Sequence, residues 1–292
     1  MRHARWFTAA LALAACGDSN ATPPQTGSND YALSGTSPYP QSLAAGQVVR
    51  SVVLRAENRA GAMMNELRCG YSFMLFTATR ASTQAPTATG SGGDCKLYTQ
   101  PPERDYSGQG WLCAGAITTN SGDLMQTSGF CPEAGSAGPW EGNFRGCGAF
   151  FSGRNATVYS ADEIGPDDRV TDLMGEVRFP GTPTITQPTT LPVVTWPSAG
   201  DLAVAWTGAD ATSVMVRLEP DAADRAGPTI VCTPRRNGSL TVDAALLNQS
   251  GLRAMNARLR VWAYRETTVQ AEGRAWTLAG AAGSNVLLQP AR

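Results

Sequence analysis

From Val193 onward, apolar side chains recur at every second position, the period of a strand with one buried face. In Asp201 to Trp206, the residues Leu202, Val204 and Trp206 share a face; in Val214 to Leu218, the residues Val214, Val216 and Leu218 do the same. Arg258 to Tyr264, Arg274 to Leu278 and Asn285 to Gln289 read as further strands. Ile230-Val231-Cys232 and Ser239 to Val242 flank Pro234-Arg235-Arg236-Asn237-Gly238, and the Asn-Gly step favours the positive backbone angles of a tight hairpin turn. Ala244 to Asn248 allows one short helical turn.

Some seven short strands in about one hundred residues is the count and spacing of an immunoglobulin-like sandwich, which is the fold predicted for residues 193–292. Upstream, residues 46–181 read as a second, disulfide-containing and β-rich domain. It begins at Val48, Val49, Val52, Val53 and Leu54. Tyr71 to Ala78 is apolar on both faces, as a buried strand would be. Ala85 to Asp94 is a Thr, Ser and Gly loop, and Cys95 to Tyr98 resumes a strand that Pro101-Pro102 stops. Trp111 to Thr119, Gly148 to Ser152 and Ala156 to Ala161 are further strand candidates, and Met63 to Leu67 reads as a helical turn. Residues 182–192 form a stiff Pro/Thr linker, which places the domain boundary. The expected class is mostly β: two β-sandwich-like domains in tandem, the second immunoglobulin-like, behind a signal peptide and a flexible tether.

The beginning of the chain carries an address. Arg2 and Arg5 precede an apolar run from Trp6 to Ala15, too short to span a bilayer, and Leu13-Ala14-Ala15-Cys16 ends it. This ending resembles a bacterial lipobox, in which the cysteine is acylated and the preceding peptide removed; an ordinary signal with a chance cysteine is the competing reading. Residues 1–15 are thus expected to be a signal peptide, Cys16 the lipidated residue, and 16–45 a polar, turn-rich tether. Three acyl chains would hold such a protein firmly. No later apolar stretch is long enough to cross a membrane, so the lipid is the expected membrane contact. Gly17, rather than an aspartate, follows Cys16, which points to the outer membrane; Asp18 weighs against it.

Composition closes several classes of chemistry. The only histidine of the 292 residues is His3, inside the predicted signal. Without it there is no Ser-His-Asp or Cys-His catalysis and no imidazole-ligated metal. Lys96 is the only lysine, so lysine-based covalent chemistry has a single candidate and no supporting motif. The formal charge of −1 becomes −3 when Arg2 and Arg5 leave with the signal. No basic run offsets it, and nucleic acid is not an expected partner. No cofactor and no metal is expected.

Six cysteines follow Cys16: Cys69, Cys95, Cys113, Cys131, Cys147 and Cys232. In an exported chain an even set reads as a disulfide framework, with fifteen connectivities possible for six residues. No Cys-x-x-Cys pair suggests a thiolate metal site. Cys131 and Cys147 flank a turn-rich segment and are the first expected pair. Five of the six precede residue 150, so either a bridge reaches Cys232 or two thiols stay free.

Two further features invite a functional reading. Trp140 lies in Gly138-Pro139-Trp140-Glu141-Gly142-Asn143-Phe144, a loop of turn formers and polar groups, so Trp140 and Phe144 are candidate binding residues for a sugar face or a partner surface. The alternative folds Trp140 back over a disulfide as a local mini-core. The acidic stretch 162–176 carries Asp162, Glu163, Asp167, Asp168, Asp172 and Glu176. Its spacing departs from a helix-loop-helix calcium site and Gly165-Pro166 interrupts it, so a solvated loop is expected. Paired carboxylates at ~5–10 Å would also suit a glycosidase, a reading that composition alone neither favours nor places.

The chain resembles uncharacterised bacterial outer-membrane lipoproteins with two β-rich domains. The residues that carry the resemblance are the lipobox, Cys95-x-Leu97, Ala156 to Ala161, Pro180 to Pro183, Asp201 to Trp206, Ile230-x-Cys232 and Gly238 to Val242. The resemblance implies that Cys95 and Cys232 are recurrent positions that join the domains or stay reduced. Cys69, Cys113, Cys131 and Cys147 would then form two bridges within the first domain. It implies no activity. The expectation for function is a non-catalytic, lipid-anchored envelope protein, structural or protein-binding. A glycan-binding adhesin is the alternative, and a carboxylate-dependent glycoside hydrolase a further one. An envelope protein or a polysaccharide is the expected partner.

Overall fold

The computed structural model describes residues 30–31, 48–60, 65–77, 88–99, 110–111, 117–120, 124–127, 140–143, 155–160, 174–189, 193–221, 227–234, 238–271 and 274–291. The described chain is mostly β. In chain order its first strands are β1 (Asp30–Tyr31), β2 (Val48–Ala60), β3 (Asn65–Thr77), β4 (Gly90–Gly92), β5 (Cys95–Tyr98) and β6 (Gly110–Trp111). Next come β7 (Ile117–Asn120), β8 (Leu124–Thr127), β9 (Trp140–Asn143), β10 (Asn155–Ser160), β11 (Met174–Arg178) and β12 (Thr184–Gln187). Then follow β13 (Val193–Thr195), β14 (Leu202–Thr207), β15 (Ser213–Pro220), β16 (Thr229–Cys232) and β17 (Ser239–Val242). The helix α1 (Ala244–Ser250) precedes β18 (Ala257–Ala271) and β19 (Arg274–Gln289).

The largest sheet runs in the order β4-β5-β16-β15-β18-β19-β2-β3-β6, with β1 also on β2, β9 on β3 and β13 on β19. A three-stranded sheet, β12-β14-β17, lies against it, and β11-β10-β7-β8 form a third. The alternation read from the sequence sets which side chains face inward. Leu202, Val204 and Trp206 of β14 pack with Val214, Val216 and Leu218 of β15, and Leu259 and Val261 of β18 join the same core. Burial of each such side chain contributes roughly 1.5–3 kcal/mol. Helix α1 closes one end: Leu246 and Leu247 enter the core with Leu252, and Gly251 ends the helix at φ 70°, a left-handed cap that glycine adopts without steric cost.

Strands on both sides of residues 182–192 hydrogen-bond into one sheet. β5 pairs with β16 in the register Cys95↔Cys232 and Leu97↔Ile230. Cys95 and Leu97 share a core with Trp196 and Leu288, and β2 pairs in parallel with β19 from Ser51↔Thr277 to Arg59↔Asn285. Strands from either side of the expected linker at 182–192 thus pair within one sheet. Edge backbone groups of β19 are satisfied by β2 rather than by solvent, which is why the two stretches combine.

Several local expectations are corrected. The hairpin expected at Asn237-Gly238 is a crossing between sheets, because β16 pairs with β15 and β5 while β17 pairs with β14. Gly238 keeps its positive φ of 109° in that passage. Asn65 to Leu67, expected to be helical, begin β3, and β4 lies inside the expected loop 85–94. The stretch 111–119 supplies two strands in different sheets, β6 and β7. Arg274 to Leu278 and Asn285 to Gln289 are one continuous strand, β19.

Candidate functional site

The largest sheet has a second buried face, opposite the main core. Along β15, β18, β19 and β2, it carries Met215, Trp262, Tyr264, Ala279, Ala281 and Val53 as an apolar half. Residues of the same parity on these strands are charged or polar: Arg217 and Glu219 on β15, Arg258 and Arg260 on β18, Asn285 on β19 and Glu57 on β2. Gly283 lies between the halves, and the ring of Trp262 lies so close that a Cβ at 283 would come within 2.6 Å of it.

The charged half is one connected set. Glu219, 1% exposed, places Oε2 2.6 Å from Arg217 Nε and Oε1 2.9 Å from Arg260 Nε. Arg260 Nη1 lies 3.2 Å from Glu57 Oε1. Asn285 Nδ2 donates to that same Glu57 oxygen at 2.8 Å, and Asn285 Oδ1 accepts from Arg258 Nη1 at 2.7 Å. Arg258 in turn holds Asp221 Oδ1 through Nε at 2.9 Å and Nη2 at 2.8 Å. Three guanidinium groups thus meet three carboxylates across four strands. Charges withdrawn from water are tolerated when each meets an opposite charge in this manner.

Chemically, this arrangement is a frame. Glu57 and Glu219 are each held against guanidinium groups, which bind the strands that carry them to one another. A different acid, Glu266 of β18, is pushed up to about 7 by burial; it is half-buried and sits opposite Ala279. Among the described residues, no group of three or more His, Cys, Asp or Glu is placed to hold a metal ion. No described helix is long and apolar enough to cross a membrane.

The residues singled out from the sequence fall as follows. Cys95 and Cys232 form a disulfide with Cα atoms 3.9 Å apart, joining directly opposed positions of β5 and β16. Cys69 lies in β3 opposite Ala56. Cys16, Cys113, Cys131, Cys147 and Phe144 lie outside the described residues, as do residues 162–173 of the acidic stretch; Glu176 is exposed in β11. Trp140, expected in a loop, begins β9, where its backbone pairs with Phe73.

The frame itself was not singled out from the sequence. Arg217-Leu218-Glu219 and Arg258-Leu259-Arg260 look locally like strands with one wet face. The available signal was that Trp262 and Tyr264 share the parity of Arg258 and Arg260, which gives that face too many large aromatic groups for solvent.

Comparison with protein-family models finds no match, and comparison with curated proteins finds no matching relative.

Proposed function

We propose that the chain is a non-catalytic, lipid-anchored protein of the bacterial cell envelope, a structural or protein-binding module held at the outer membrane through Cys16. Its 193–292 stretch is read as the immunoglobulin-like part, with β14 and β17 facing β15, β16, β18 and β19 over one core. The geometric observation that carries the non-catalytic reading is the closure of the buried charges onto one another: Glu57 and Glu219 hold strands together rather than facing an open cleft. The Leu13-Ala14-Ala15-Cys16 ending supports the anchor.

Fractionation of cells producing the full chain tests it. Wild type is expected in the membrane fraction and labelled by a palmitate analogue; Cys16→Ser is expected in the soluble fraction and unlabelled. Membrane association unchanged by Cys16→Ser removes the anchor reading. Co-sedimentation with isolated envelope polysaccharides, wild type against Trp140→Ala, separates the module from a glycan-binding adhesin. Binding lost in the variant would replace the protein-binding role.

A further inference from the structure

We infer that β2 is a mechanical clamp, a strand that carries pull on the membrane tether into the C-terminal sheet in shear. This deepens the lipid-anchor reading and rests on it for the source of the load.

The stretch expected as tether, residues 16–45, includes β1 (Asp30–Tyr31), which itself pairs in parallel with Val48 and Val49, and leads within a few residues to Val48, the first residue of β2. That strand is internal to the sheet. On one side it pairs in parallel with β19, Ser51 to Arg59 against Thr277 to Asn285; on the other it pairs antiparallel with the whole of β3. Because β2 and β19 are parallel, the beginning of β2 lies at the Thr277 end of the ribbon, and β19 runs on to Gln289 at the opposite end. A pull between the beginning of β2 and the end of β19 acts along the ribbon. The evenly spaced bonds of a parallel pair share such a load. The β2–β3 hairpin has the contrasting geometry: Val48 and Thr77 are directly opposed, so separating them opens the ladder one pair at a time.

Glu57 adds a lateral bolt near the far end of β2. Its carboxylate is held by Asn285 of β19 at 2.8 Å and by Arg260 of β18 at 3.2 Å, and all three side chains are buried. A slide of β2 by one residue would turn Glu57 to the other face, and a slide by two would carry it about 7 Å from its partners. Either movement strands charge in a buried interior. Asn285 links the same bolt to Arg258 and so to Asp221 beyond β15, which spreads the load over the sheet.

Single-molecule force spectroscopy on the full chain tests this, with handles at Gln47 and Pro290 in one preparation and at Gln47 and Ala78 in another. The clamp predicts a higher rupture force for β2 in the first geometry than in the second. It also predicts that Glu57→Gln unfolds on the order of 10- to 100-fold faster at a given load in the first geometry. Equal rupture forces in the two geometries, or a Glu57→Gln chain that resists as well as wild type, would overturn the clamp. If Glu57→Gln does not fold, the comparison of geometries on the unaltered chain decides alone. Because this measurement needs no lipid, failure of the anchor in the Cys16→Ser fractionation is distinguishable from failure of the clamp.

Discussion

Arg217 and Arg260 are directly opposite one another on neighbouring strands, two like charges in cross-strand register on a buried face. Such a pair is destabilising by itself. Glu219 resolves it by giving one carboxylate oxygen to each guanidinium, at 2.6 Å and 2.9 Å. The acid between two arginines is therefore the most sensitive point of the frame.

Glu219→Gln removes the charge while keeping shape. It should lower unfolding free energy by about 3–5 kcal/mol, the usual cost of leaving one partner of a buried pair uncompensated. Urea denaturation measures this. The combined replacement Arg217→Met, Glu219→Leu, Arg260→Met should recover much of the loss, because no buried charge is then left unpaired. A Glu219→Gln protein within 1 kcal/mol of wild type would show that water reaches the pair.

The mostly β class was legible because one face of β14 and of β15 meets the main core. The alternation in 202–206 and 214–218 identifies residues of the main core directly, and the helical turn expected at 244–248 is the beginning of α1, which runs on to Ser250. The charged frame was not legible in the same way. Its Glu57–Asn285 bond joins residues 228 positions apart, and local patterning contains nothing about partners at that distance. The strand β19 was read as broken for a related reason. Ala279-Gly280-Ala281-Ala282-Gly283 has low strand propensity, yet tertiary packing keeps it extended: Gly280 lies under the backbone of Arg178 and Gly283 under Trp262.

Gly283→Ala should therefore be costly despite a backbone that suits alanine. Its Cβ would come within 2.6 Å of the Trp262 ring, and overpacking of that kind costs about 1–3 kcal/mol. Gly251→Ala, with open space around its Cβ but φ at 70°, should cost about 1 kcal/mol through backbone strain alone. Thermal melts of the two variants, with Gly283→Ala,Trp262→Leu as a partial rescue, distinguish crowding from strain.

The disulfide between Cys95 and Cys232 spans 137 positions of sequence. Cys95→Ser,Cys232→Ser should reduce stability by about 2–5 kcal/mol, since the cross-link restrains a long loop in the unfolded chain. Protection of β4 and β5 amides in hydrogen exchange should fall further than that of β14. Equal loss across both would assign the bond no local role.

Glu266 gives the protein a pH response of defined sign. Its folded pKa of about 7 lies above the ordinary value of 4.5, so the folded state binds the proton more tightly. Its contribution favours folding below about 4.5, declines as pH rises from about 4.5 to about 7, and is then constant. With partial solvent access allowed for, the decline should be on the order of 1 kcal/mol. Glu266→Gln should flatten that part of the stability profile; an unchanged slope would place the titration elsewhere.

The account stands on β2 and the C-terminal sheet being one structural unit. Native-state hydrogen exchange of the full chain, read by mass spectrometry over peptides covering 51–59 and 277–285, tests this most directly. The two segments are predicted to open together, with the same free energy and the same denaturant dependence. If 51–59 exchanges freely while 277–285 remains protected, β2 does not belong to the sheet, and both the frame through Glu57 and the clamp fall with it.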